Sequence, residues 1–176
     1  MTKTSAETHK EDDMKILQEL YSNAKESIET IAKRCGFSEQ KIRRAIKHME
    51  ECHIIWGYST VTDIRRLNQQ RFMLLIKKTN KPLDKKILDK IDSIDLEDIA
   101  HPLGLHILSS YYVHGNYDWI IVFTANDLQH ARKFCDVLSI EFPGATQQCD
   151  IQQILYCIRE QYIFNPDRTG LQNIME

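Results

Sequence analysis

Two short amphipathic stripes separated by a single glycine constrain this chain more than any other feature. Ile28, Ile31, Ala32 and Cys35 recur at helical spacing, Gly36 interrupts, and Ile42, Ala45, Ile46 and Met49 repeat the stripe. Glycine takes the positive φ that ends a helix without steric cost. Ser27 and Ser38 stand where N-caps are expected, each just before a stripe. An earlier stripe, Ile16, Leu17, Leu20 and Tyr21, ends at Ser22-Asn23. Helices this short are unstable alone, so the three stripes must share one small core. Ala32 is small where two helices would touch, Gly36 turns the chain, and Ile42 and Ala45 fill the angle. That is the helix-turn-helix arrangement.

The second helix of the pair carries Gln40, Lys41, Arg43, Arg44 and Lys47 away from its apolar stripe. A helix lying in a DNA major groove needs donors of this kind, because Arg reads guanine and Gln reads adenine. Ser27 and Ser38, with the free N–H groups at the two helix starts, are suited to backbone phosphates. Lys33 and Arg34 are placed for the same backbone. The competing reading is a solvated charged face, and only the motif spacing tips the balance towards double-stranded DNA as partner.

Beyond this domain the pattern changes. Ile54 to Val61 is β-branched and aromatic and reads as a short strand, and Thr62 to Gln70 is a polar linker. From there the expected order is a strand at Arg71 to Lys78, a helix at Leu83 to Ile94, strands at Ile107 to His114 and Asp118 to Thr124, a helix after Asp127, and a last strand from Thr146 to Ile158. This βαββαβ order is a ferredoxin-like split unit. The expected organisation is a helix-turn-helix domain over 1–61, a linker over 62–70, a ferredoxin-like effector-binding and oligomerisation domain over 71–161, and a loosely held tail over 162–176. The class is α+β.

Composition narrows the function. With 42% hydrophobic and 27% charged residues the chain is a folded globular protein. Its longest apolar runs, Phe72 to Ile76 and Trp119 to Phe123, are far short of the roughly 20 residues of a membrane span. The first thirty residues lack the apolar core of a secretory signal, so the expected location is cytoplasmic, with no membrane partner. Net charge is -2 and argues neither way on nucleic acid. Ten Lys and Arg face eleven Asp and Glu up to Asp63, giving -1 there and -1 in the remainder. Five dispersed cysteines (Cys35, Cys52, Cys135, Cys149, Cys157) read as reduced thiols packed as small hydrophobes.

No catalytic set emerges, and no cofactor or metal site is assigned. His101, His106 and His114 are close in sequence but lack a ligand partner at an evident spacing. Asp89, Asp92, Asp95, Glu97 and Asp98 read as a solvated helix end. The one polar constellation of interest is Gly115-Asn116-Tyr117-Asp118, where a glycine turn joins two strands. Backbone N–H groups there suit a carboxylate and Asp118 suits an ammonium group, so a small zwitterion fits. An ordinary hairpin is the alternative.

Taken together, these pieces resemble the Lrp/AsnC, or feast/famine, transcriptional regulators from about Asp13 to about Gln161. The resemblance is carried by Ile16-Leu17-Gln18-Glu19-Leu20, Ile31-Ala32-Lys33-Arg34-Cys35-Gly36-Phe37-Ser38, Ile54-Ile55-Trp56-Gly57-Tyr58, Gly115-Asn116-Tyr117-Asp118 and Phe142-Pro143-Gly144. It implies a winged helix-turn-helix joined to a ferredoxin-like, RAM-type domain. In that family such domains pair through their sheets, and dimers often assemble into octameric rings. Amino acids bind near the glycine turn and alter assembly or DNA affinity, which implies Gly115, Asn116, Tyr117 and Asp118 as effector residues. Asn116 stands where the family has Asp. The alternative is an enzyme of the same architecture acting on a tetrapyrrole, as in siroheme decarboxylases, with His101, His106 and His114 as its working groups.

Overall fold

The computed structural model describes residues 5–176, and it divides the chain into two units. The first comprises residues up to Val61 together with Ile158–Arg168, and the second comprises Thr62–Cys157 with Thr169–Glu176.

In the first unit, α1 (Ser5–Ser22), α2 (Ile28–Cys35) and α3 (Glu39–Glu51) bury the stripes read from the sequence. Ile16, Ile31, Ile42 and Met49 are fully buried, and Leu17, Leu20 and Ala32 complete the core. Ser27 caps α2 by accepting from Thr30 N–H at 3.1 Å, and Ser38 caps α3 by accepting from Lys41 N–H at 3.3 Å. Gly36 takes φ +70° and its N–H returns to the carbonyl of Ala32. The glycine stop between the helices is therefore a backbone requirement.

The strand expected at Ile54 to Val61 does not form. No described strand lies alongside to pair with it, and an unpaired strand would leave its backbone groups unsatisfied. Instead Ile54 and Ile55 donate to the carbonyl of Met49 at 2.8 and 3.0 Å, closing the end of α3. Trp56 beyond them is 93% exposed. The tail also differs from expectation. Arg159–Glu160 and Ile163–Phe164 (β5 and β6) form a small hairpin, and Tyr162 stacks on Tyr21 of α1 with centroids 4.7 Å apart.

The second unit is built on four antiparallel strands, β1 (Gln70–Lys78), β2 (His106–Tyr112), β3 (Trp119–Ala125) and β4 (Thr146–Ile154), in the order β2-β3-β1-β4. With α4 (Lys85–Ser93) after β1 and α6 (Leu128–Glu141) after β3, this is the expected ferredoxin-like topology. Strand alternation sends Phe72, Leu74 and Ile76 to one face, beside Ile121, Phe123 and Ala125 of β3. Ala131, Phe134 and Leu138 of α6 cover that face, and the Phe123 and Phe134 rings meet edge-on at 5.1 Å. The opposite face presents Met73 and Leu75, paired across the ladder with Val122 and Ile120.

Two features of this unit were not expected. A one-turn helix, α5 (Leu96–Ala100), and a 3-10 turn, His101–Leu103, lie between α4 and β2. Cys135 and Cys149, read as separate thiols, are joined as a disulfide with Cα atoms 6.9 Å apart. The antiparallel return of β4 beneath α6 brings them together, which sequence separation alone does not reveal. Cys35, Cys52 and Cys157 take no part in that disulfide.

Candidate nucleic-acid interface and effector turn

On α3 the buried residues Ile42 and Met49 fix the rotation of the helix. Gln40, Arg43, Arg44 and Lys47, at i, i+3, i+4 and i+7, form one exposed stripe on the opposite side. The helix holds four Lys and Arg against three Glu, and the acids sit at its two ends. The middle is therefore cationic.

These side chains differ in how free they are. Arg44 is exposed and pairs with no described residue. Arg43 reaches Glu39 at 3.5 Å and Lys47 reaches Glu51 at 3.7 Å, both along the helix and both solvent-exposed. Such pairs are weak in water and exchange readily for a phosphate or a base edge. Lys41 is committed elsewhere. Its ammonium bonds Asp12 of α1 at 2.6 Å and lies 3.8 Å from the Phe37 ring centroid, so it ties α3 to α1. That hydrogen bond holds the Asp12 carboxyl below its ordinary range. Arg34 is similarly engaged with Glu19 at 3.1 Å and Glu26 at 3.6 Å. The sequence carried no signal for either commitment, because the partners are distant along the chain.

Ser27 and Ser38 both spend their hydroxyls as N-caps, as placed from the sequence, and both remain exposed. The hydroxyl of Tyr58 donates to Glu50 at 2.8 Å. Burial and then this bond push its phenol up to about 12.

In the second unit the glycine turn links β2 to β3. Gly115 and Asn116 are exposed at its tip. Tyr117 donates to Asp150 of β4 at 2.6 Å, which raises the phenol above its usual range, and Gln148 donates to the same carboxylate oxygen at 2.8 Å. One oxygen of Asp118 accepts the Lys78 backbone N–H at 2.9 Å, and the other lies 3.9 Å from the Lys78 ammonium. That ammonium also donates to the Tyr112 hydroxyl at 3.3 Å, the main cause of its raised pKa. Asp118 is thus a brace between the turn and β1. Lys78, Tyr112, Gln148 and Asp150 join the four predicted residues here. They were missed because only the strand order, with β1 between β3 and β4, brings their ends to the turn.

The three histidines separate. His101 and His106 approach edge-on with centroids 5.3 Å apart, while His114 lies at the glycine turn outside that cluster. Glu97 joins the pair in space, although the sequence showed no ligand partner for them at an evident spacing. As i and i+4, Glu97 and His101 share one side of a helical turn.

Fold and surface together define a helix-turn-helix protein whose second module is a ferredoxin-like domain. Residues 11–50 match the AsnC-type helix-turn-helix domain, and the resemblance to the Lrp/AsnC regulators is borne out there. The chain is 25% identical over 122 residues to the HTH-type transcriptional regulator Ptr1 of Methanocaldococcus jannaschii, covering 69% of this chain and 76% of that protein. Among solved structures, the transcriptional regulator NMB0573 of Neisseria meningitidis in complex with L-Met aligns with a TM-score of 0.64 at 16% identity. That alignment covers 89% of this chain and 96% of that one. E. coli AsnC aligns with a TM-score of 0.58 at 21% identity, covering 87% and 96%. These likenesses show the shared two-part fold. No helix among the described residues is long and apolar enough to cross a membrane.

Proposed function

We propose that this chain is a sequence-specific DNA-binding transcriptional regulator whose assembly or DNA affinity responds to a small effector, with an amino acid as the first candidate. The observation that carries the reading is the exposed stripe Gln40, Arg43, Arg44 and Lys47 on the second helix of an AsnC-type motif. A recognition helix must present donors at its surface while its other side is fixed in a core, and α3 meets both conditions. Ser27 and Ser38 support phosphate contact at the two helix starts. A homodimer would present two such helices to half-sites one or more helical turns apart. The Met73, Leu75, Ile120 and Val122 face is the natural pairing surface, because the described helices cover the other side of the sheet.

The test is binding of the purified chain to its own upstream DNA by fluorescence anisotropy. The double change Arg43→Ala and Arg44→Ala should abolish specific binding and leave oligomer size unchanged. For every phosphate that the variant no longer neutralises, the salt slope should fall by about 0.9 log unit per log unit. Retained affinity and site choice in the double variant refute the assignment of α3.

The effector reading rests on the Gly115–Asp118 turn with its Asp118 and Lys78 charges. A zwitterion there competes with Lys78 for the Asp118 carboxylate through its ammonium and meets the Lys78 ammonium with its own carboxylate. Calorimetry with the common L-amino acids should find a ligand whose binding Asp118→Ala weakens. Unchanged binding in that variant removes the turn from the effector site.

A further inference from the structure

The Glu97, His101 and His106 cluster is not used by DNA binding or by the glycine turn. Glu97 stands on α5, His101 one turn later, and Gly104 at φ +71° reverses the chain so that His106 returns as the first residue of β2. One donor atom from each of the three lies within 4.8 Å of the others. The Glu97 carboxylate is fixed in place, since one oxygen accepts the Ile107 N–H at 3.0 Å. Its other oxygen is buried and has no hydrogen-bond partner among the described residues. A buried carboxylate oxygen left without a partner is costly, and a bound cation is one of the few things that satisfies it.

We propose that Glu97, His101 and His106 form a binding site for a divalent transition-metal ion of the zinc and cobalt class. Two imidazoles with one carboxylate select such ions over magnesium or calcium, which require mostly oxygen donors. Ligand bonds of about 2.0–2.2 Å place tetrahedral donors roughly 3.4 Å apart. The donor atoms, within 4.8 Å of one another, would have to close to that value on binding, and the two exposed histidine side chains are the ones with room to rotate. Both imidazoles are solvent-exposed, so the remaining coordination position is open to water or to a further ligand. Binding would clamp the α5 turn to the start of β2, locking the crossover into the sheet.

This site stands apart from the regulator reading, since failure of DNA binding leaves it untouched. The experiment uses the full chain without an affinity tag, stripped with chelator and titrated with Zn2+ by calorimetry and with Co2+ by visible absorbance. One ion per chain is expected, with a Co2+ spectrum of low coordination number. His101→Ala, His106→Ala and Glu97→Gln should each weaken Zn2+ binding by more than the roughly 10–100-fold that removal of an outer-sphere partner costs. His114→Ala should leave it unchanged. Side-chain NMR of the unmodified protein provides a readout that needs no variant: Zn2+ must shift the His101 and His106 ring nitrogens and spare His114 and His130. Binding that survives the three ligand changes, or shifts centred on other histidines, overturns the site.

Discussion

Replacing Gly36 by alanine isolates the backbone term of the helix-turn-helix. Its φ of +70° is a left-handed conformation, and a Cβ built there meets nothing within 4 Å. Packing therefore contributes nothing, and the whole cost is the conformational one of about 1–2 kcal/mol. Gly57 provides the control: a Cβ there also meets open space, and its φ is not left-handed. Alanine at Gly57 should be neutral or should stabilise by about 0.4–1 kcal/mol through the unfolded state. The unfolded-state gain applies at both glycines and cancels in the comparison, so the two substitutions differ by the conformational term alone, about 1.4 kcal/mol at the middle of its range, or about tenfold in an opening equilibrium. Hydrogen exchange read by mass spectrometry measures it locally. Peptides spanning Ile28–Glu51 should exchange about tenfold faster in Gly36→Ala than in Gly57→Ala, while peptides from β1 and β3 match in both. Equal exchange of the α2 and α3 amides in the two variants would refute the claim that Gly36 is required by its backbone angle.

Three further outcomes follow from the same geometry. The Lys41 hydrogen bond depresses the Asp12 carboxyl, so its contribution is present above the ordinary aspartate range and is lost as pH falls through the lowered folded value. NMR titration should show Asp12 returning to that range in Lys41→Met. Tyr58, raised to about 12, contributes stability that is complete below about 10 and lost as pH rises through the folded value, and alkaline absorbance titration should lose its last phenol in Tyr58→Phe. Phe123 is fully buried between Phe72 and Phe134, and Phe123→Ala should cost about 3–5 kcal/mol in urea unfolding monitored at Trp119.

Where the sequence carried period and punctuation, the fold was legible. Ile28 to Met49 announced two helices because their burial is one-sided, and Asp127 announced α6 because its carboxylate caps the helix, accepting from His130 N–H at 2.9 Å. The βαββαβ order followed from alternation between period 2 and period 3.6. The segment from Ile54 to Val61 misled because β propensity reflects a partner surface, and here no described strand pairs with it. The acidic stretch around Glu97 misled for the opposite reason. Its composition looks solvated, yet one carboxylate turns inward to meet Ile107 N–H. Of the candidate surfaces, the α3 stripe could be read because its neighbours are four residues away. Asp12 against Lys41, Asp150 against Tyr117 and Lys78 against Asp118 could not, since each contact is made by tertiary packing between distant positions.

The Tyr21 and Tyr162 stack means that the helical unit is assembled from segments that precede and follow the sheet in the sequence. During synthesis the three helices emerge before the sheet, but the hairpin that completes their unit is made only after the entire sheet has been translated. The helix-turn-helix unit is thus completed only after the sheet has been made. A half-made chain carries α3 before it carries the piece that closes over α1.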